Sequence, residues 1–211
     1  MSQNTSIRAI IWDLGGVLVR TEDFRPREHL AAGFGMTRAE LENLVFSGAS
    51  GSQAQNGEID VAQHWENIRK TLKLSPQEII AFQDAFWGGD QLDTALVDYI
   101  RALRGSYRTA LLSNAFSDLR KAIDEVWQIQ DAFDEIIISA EVGMTKPDQR
   151  IYRLALERVG VEPQEAVFID DFRHNIKGAR EAGLHAIHFQ DPHQARSDLE
   201  QLLNDHKPAS E

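Results

Sequence analysis

The sequence predicts an α/β fold: a doubly wound, Rossmann-like parallel sheet, expected strand order 3-2-1-4-5, with an inserted helical cap. Three observations predict it. Five short apolar runs recur along the 211-residue chain, and runs of that length mark strands buried on both faces of a parallel sheet. Helix-patterned segments separate them, and right-handed crossovers convert such alternation into a doubly wound sheet. Residues 20–87 break the alternation with polar, helix-patterned sequence, so they read as an insertion, leaving 1–19 and 88–211 for the sheet domain.

The first run, Ile7-Arg8-Ala9-Ile10-Ile11-Trp12, stops at Asp13 and is followed by Leu14-Gly15-Gly16-Val17-Leu18. An Asp ending a buried strand sits at the rim where open α/β sheets place ligands. Paired glycines allow a sharp turn and close approach of a ligand or metal to the backbone. In the insertion, Pro26 opens a short helix, and Thr37 with Glu40 forms a capping box ahead of Leu41, Leu44 and Val45. Ser47-Gly48-Ala49-Ser50-Gly51-Ser52 reads as a flexible loop by composition. Gly57-Glu58-Ile59-Asp60 leads into a helix with Val61, Trp65 and Ile68 on one face. Ser75, Pro76 and Glu78 start another, carrying Ile79, Phe82, Phe86 and Trp87. Gly88-Gly89 ends the insertion. Beyond it come a helix near 92–104, a strand over 107–114, a helix near 117–127 and a strand over 135–139. Asp148 then caps a helix, and Ala166-Val167-Phe168-Ile169-Asp170-Asp171 is the fourth strand. A helix near 175–182, a fifth strand over 186–189 and a short helix near 197–203 close the pattern.

Composition excludes several function classes. A formal charge of -11 repels phosphate backbones, so no nucleic-acid partner is expected. With no cysteine there is no disulfide, thiolate zinc site, iron–sulfur cluster or Cys nucleophile. No run approaches a membrane span and no leader pattern opens the chain, so the expectation is a cytoplasmic protein without a membrane partner. Nothing in the sequence fixes an oligomeric state.

Polar groups follow four strands: Asp13, Ser113 with Asn114, Lys146, and Asp170 with Asp171. Strand ends on one side of a parallel sheet converge. With the first and fourth strands adjacent, Asp13 and Asp170 face each other, and carboxylates that close repel. A hard divalent cation relieves the repulsion, and Mg²⁺ suits a site of few carboxylates plus a phosphate. Ser113 and Lys146 then offer a hydroxyl and a cation to the phosphoryl oxygens, and Asp13 suits a nucleophile. Taken singly, each has an ordinary structural reading as a turn, a surface charge or a helix cap. Their succession at strand ends is what points to a phosphate site.

Together these segments resemble the haloacid dehalogenase superfamily, mostly Mg²⁺-dependent phosphatases acting through a phospho-aspartate. Trp12-Asp13-Leu14-Gly15-Gly16-Val17-Leu18 is similar to its first motif and Leu112-Ser113-Asn114 to its second. Lys146-Pro147-Asp148 with Ile151-Tyr152 resembles the third, and Phe168-Ile169-Asp170-Asp171 with Asn175 the fourth. Gly57-Glu58-Ile59 with Trp65 resembles the subgroup holding a sugar-1-phosphate phosphatase and the amino-terminal domain of soluble epoxide hydrolase. The resemblance implies that Asp13 is the nucleophile and that Asp13, the Gly15 carbonyl and Asp170 bind Mg²⁺, supported by Asp171. It implies that Ser113, Asn114 and Lys146 hold the phosphoryl group of a small phosphorylated substrate, and that Asn175 orients the fourth-motif loop or Lys146. Arg25, beside the entrance, is a candidate for gripping a second anionic group. Phe24, Trp65, Phe86 and Trp87 are candidates for the inner face of the cap.

One position departs from the phosphatase pattern: Gly15 stands where the family has a second aspartate. The carbonyl for the metal survives, but the acid that protonates the leaving group is lost, a group worth about 10² to 10⁴ in rate. The expectation is a slow enzyme, or one whose leaving oxygen is weakly basic, as an anomeric, acyl or aryl oxygen is. Glu22, Asp23 and His174 are candidates for a substitute acid. Two rivals follow from Gly15: a phosphate-binding member without turnover, and a 2-haloacid dehalogenase, since dehalogenases of the superfamily also lack that aspartate. The dehalogenases, however, lack the acidic pair present at Asp170 and Asp171. A receiver domain would place its acidic pair after the first strand. A P-loop or a Rossmann dinucleotide fingerprint is absent.

Overall fold

The structure, a computed structural model, describes residues 5–207. The chain opens with β1 (Ala9–Trp12) and β2 (Val19–Thr21), then enters the helices α1 (Arg25–Gly33), α2 (Arg38–Glu42), α3 (Ala49–Gln55), α4 (Val61–Leu72) and α5 (Pro76–Trp87). It returns through β3 (Asp90–Leu92), α6 (Thr94–Leu103), β4 (Arg108–Ser113), α7 (Leu119–Lys121), β5 (Glu135–Ile138) and α8 (Ser139–Val142). The last elements are α9 (Gln149–Val159), β6 (Ala166–Asp170), α10 (Arg173–Glu181), β7 (His185–His188) and α11 (Pro192–Asp205).

Five strands form one parallel sheet in the order β5-β4-β1-β6-β7, the 3-2-1-4-5 order expected when only its own strands are counted. β1 lies at the centre with every side chain buried. The strand's period of two sends Ile10 and Trp12 into the layer shared with Leu96, Ile100 and Leu199. Ala9 and Ile11 go to the opposite layer, with Ile151, Tyr152 and Ala179. Helices therefore cover both faces, and the chemistry is left to the carboxyl-end rim.

Helices α1 to α5 enclose an apolar cluster of their own, including Leu41, Val45, Trp65, Ile68, Phe82 and Phe86. Capping boxes at Thr37, Asp60 and Ser75 start three of them. Their hydroxyls or carboxylate satisfy amide groups that the first turn leaves without partners. Buried Arg27 ties the group to the connection: it reaches Phe86 O at 2.8 Å, Glu42 at 3.2 Å and Asp90 at 2.7 Å. Phe116, from the loop after β4, is buried in this cluster too, with its ring 4.7 Å from that of His64.

Four elements differ from expectation. Ser47–Ser52 is not a loop, since α3 begins at Ala49. A Cβ on Gly51 would overlap the Val45 and Phe46 carbonyls, so the small residues serve close packing, which overrides their weak helix propensity. β2 and β3 pair antiparallel where no strand was expected, and Thr21 Oγ1 donates to Asp90 across them at 2.6 Å. α11 starts at Pro192, well before Ser197, because Asp191 caps it by accepting from His193 N and Gln194 N, both at 2.9 Å.

Candidate active site

Asp13 leaves the end of β1 and is 5% exposed. The Leu14 amide donates to its Oδ1 at 2.7 Å. Asp170 ends β6, the neighbouring strand, and is fully buried. The Lys146 ammonium, itself buried, lies 2.8 Å from Asp13 Oδ1 and 2.7 Å from Asp170 Oδ2. Asp171 completes a cluster in which one oxygen from each of Asp13, Asp170 and Asp171 lies within 4.8 Å of the others. With all three ionised against one ammonium, the excess is two negative charges.

The electrostatics follow from burial and that imbalance. Burial, with Asp170 adding to it and Lys146 opposing, holds Asp13 well above the usual carboxylate range. Burial also works against ionised Asp170, but the Lys146 charge and hydrogen bonds from Lys146 and the Phe172 amide win, so its pKa is lowered. Burial works against a charged Lys146 as well, and the two aspartates overcome it, leaving its pKa raised. For Asp171, burial and the neighbouring Asp170 charge push the carboxyl up to about 6. Its Oδ1 is buried without a hydrogen-bond partner among the described residues. The Asp171 carboxylate packs against Gly16, where a Cβ would overlap it and where φ is +79°. Glycine is required there on both counts.

The third and fourth motif segments are interlocked. Asn175 Nδ2 donates to both Asp170 oxygens, at 3.1 and 3.0 Å. Tyr152, on α9, donates its hydroxyl to Asn175 O at 2.8 Å. Gly178 lets α10 approach, since a Cβ would meet Pro147 Cβ at 2.8 Å. Sequence reasoning gave Tyr152 no role. The signal available was its place on the helix that Lys146-Pro147-Asp148 opens.

The remaining expected site residues are disposed differently. Ser113, at the end of β4, is 3% exposed. Asn114 is engaged with the Lys146 backbone. It donates to Lys146 O at 2.9 Å and accepts from Lys146 N at 2.8 Å, so it positions the lysine. Gly15 is exposed at the rim, and a Cβ there would meet nothing within 4 Å. Arg25 is not part of the cluster: its side chain is 87% exposed and pairs with Asp23 at 2.7 Å. That pairing holds Asp23 down at about 2, through hydrogen bonds from the Arg25 side chain and backbone. Glu22 pairs with Arg20 at 3.2 Å, and His174 is exposed beside Phe172. Of the residues expected on the inner cap face, Trp65 and Phe86 are buried within the helical cluster, while Phe24 and Trp87 are exposed.

A parallel sheet with a buried Asp–Lys–Asp chain at its carboxyl rim is the architecture of an α/β protein whose site gathers charge at the strand ends. The family model for haloacid dehalogenase-like hydrolases matches residues 7–183, and the chain belongs to that family. It is 26% identical to the sesquiterpene phosphatase astK of Aspergillus oryzae, covering 94% of this chain and 98% of that protein. With mouse acyl-CoA dehydrogenase family member 10 it shares 29% identity over 96% of its own length but only 20% of that protein's. It likewise spans 37–39% of the mammalian bifunctional epoxide hydrolases 2 that it matches over nearly its whole length. Among solved structures, the enzyme bt-2542 of Bacteroides thetaiotaomicron, in complex with magnesium and inorganic phosphate, superposes with a TM-score of 0.73 at 27% identity. The match covers 88% of this chain and 95% of that one.

Proposed function

We propose that this hydrolase is a Mg²⁺-dependent phosphomonoesterase acting on a small phosphorylated metabolite through a phospho-aspartate on Asp13. The observation that carries the reading is the Lys146 ammonium bridging Asp13 and Asp170 beside a third carboxylate. The donor set fits Mg²⁺: the oxygens are hard, their charge exceeds what one ammonium offsets, and the buried Asp171 Oδ1 lacks a partner. Asp13, Asp170 and the Gly15 carbonyl would hold the ion, with Asp171 alongside. When bound, the ion supplies charge neutralisation for the transferring phosphoryl group.

The chain's own groups do the rest. An Asp13 oxygen attacks phosphorus, and the ester oxygen departs with its electron pair. Lys146 and the Ser113 hydroxyl hold phosphoryl oxygens as charge moves onto them. Asn114 and Asn175 keep Lys146 and Asp170 in place. Water then cleaves the acyl phosphate and frees Asp13. Without a carboxyl at position 15, weakly basic leaving oxygens are favoured, and a sugar 1-phosphate is one substrate class that meets this condition. Residues 20–87 serve as the cap over this rim, hinged on the β2–β3 ribbon. Gly15 supports one further reading, a member that binds phosphate without turnover.

The test is phosphate release with Mg²⁺ from an aryl phosphate and a panel of sugar phosphates, wild type beside Asp13→Asn. Release that requires Mg²⁺ and disappears in the variant supports the proposal. A folded, Mg²⁺-binding wild type that releases nothing overturns the catalytic reading in favour of binding alone.

A further inference from the structure

Beside the catalytic cluster, α10 and the end of β7 enclose a groove of about 410 Å³ lined by Arg173, Ile176, Lys177, Arg180, Glu181 and His188. Spacings of four and three put Arg173, Lys177 and Arg180 on one face of the helix. At 1.5 Å per residue the three cations extend over about 10 Å of helix axis. One acid shares the groove: Glu181, whose Oε1 is 3.6 Å from Lys177 Nζ, with the two side chains 51% and 78% exposed. An ion pair that exposed holds its partners weakly. Arg180 anchors one nitrogen on Ala186 O at 2.9 Å, which directs its guanidinium along the sheet edge. Arg173 has no ion-pair partner among the described residues. Three cations facing one carboxylate, in a chain of net charge -11, make this concavity a local reversal of sign.

We propose that this groove is a second anion site, for a small metabolite carrying two phosphate or carboxylate groups. Its volume falls in the range of small-molecule pockets, roughly 300–1,000 Å³. Arg173 and Arg180 leave the helix about 10 Å apart along its axis, and guanidinium groups suit bidentate capture of such anions. Ile176 between them gives the carbon skeleton an apolar floor. The groove also adjoins the catalytic rim. His188 pairs with Asp170 in the sheet register, and its Nε2 lies 2.9 Å from Asp171 O. Asn175, which holds Asp170, lies in the same turn as Arg173 and Ile176. Occupation of the groove thus bears on the Asp170–Asp171 segment from behind.

The experiment is calorimetric titration of metal-free protein with butane-1,4-diphosphonate, which carries two anionic groups and cannot be hydrolysed. Metal is left out so that no added cation can recruit the probe to Asp13, Asp170 and Asp171, and amide resonances report which site it occupies. Wild type is expected to bind one equivalent, at least tenfold more tightly than it binds methylphosphonate. R173Q/K177Q is expected to lose at least tenfold in affinity. A control, K70Q/K121Q, removes the same charge at exposed positions elsewhere and is expected to lose less than twofold. No binding by wild type overturns the proposal, as does unchanged affinity in R173Q/K177Q or an equal loss in the control. Amide resonances of Asp171 and His188 that shift with the titration would place the ligand at the groove, and shifts confined to other regions would overturn it.

Discussion

Gly15→Asp tests the account of the missing acid directly. A Cβ at this position meets nothing within 4 Å, and Gly15 is not among the glycines with positive φ, so a side chain can leave the backbone here without strain. Replacing a glycine in ordinary backbone also removes freedom from the unfolded chain, a stabilising effect of about 0.4–1 kcal/mol. The restored carboxyl is expected to raise kcat/KM for alkyl phosphates by about 10² to 10⁴. At 1.36 kcal/mol per decade that is roughly 3–5 kcal/mol of transition-state stabilisation. For p-nitrophenyl phosphate, whose leaving phenolate needs no proton, the gain should stay below about tenfold. The assay is steady-state phosphate release from both substrate types at saturating Mg²⁺, with urea unfolding run in parallel. Equal gains on both types, or a stable variant with no gain on alkyl phosphates, would refute the argument that position 15 lacks the acid.

Three further outcomes are expected. Lys146→Met leaves Asp13 and Asp170 facing each other in a buried site, and urea unfolding without metal should show a loss of about 3–5 kcal/mol. Saturating Mg²⁺ should recover part of it, and a loss under about 1 kcal/mol would contradict the bridging role. Gly16→Ala forces a side chain into the left-handed region against the Asp171 carboxylate. It should cost about 1–2 kcal/mol and weaken Mg²⁺ binding measured by calorimetry, and unchanged Mg²⁺ affinity would detach Asp171 from the site. Lastly, burial and the neighbouring His206 lower the pKa of His185. The folded protein then binds fewer protons here than the unfolded chain, so this contribution is intact above the ordinary histidine range and is lost as pH falls through it. His206→Gln should flatten the loss seen in urea unfolding between pH 7.5 and 5.5, and an unaltered slope would exclude the pair as its source.

The sheet and the grouping at its rim were legible because two signals coincide: β1, β4 and β6 run into Asp13, Ser113 and Asp170, while Lys146 follows β5 across α8. Asp13, Ser113, Lys146 and Asp170 could be picked out by position alone, and the strand order follows from where the run ending in Asp13 must sit. Side-chain direction was not legible. Spacing puts Asn114 beside the rim, but only the fold turns its amide onto the Lys146 backbone. Arg25 is in the same case, although its partner Asp23 stands two residues away and could have been suspected. The helix over Ala49–Gln55 was hidden because Ser and Gly suggest a loop until the carbonyls that Gly51 must pass are in place. β2 and β3 have three residues each and no apolar alternation, so nothing local distinguishes them from connection.

Phe116 gives this arrangement a consequence for motion. It lies three residues beyond Ser113, yet its ring is buried among the helices of residues 25–87, against His64 and Trp65. Drawing those helices off the sheet would return the ring to water, at about 1.5–3 kcal/mol for a side chain of this size. The same movement would pull on the loop that carries Ser113 and Asn114. Separation of the helical segment and disturbance of the Ser113–Asn114 loop are thereby coupled, and in the proposed reaction the segment would have to stay docked for that loop to keep its shape.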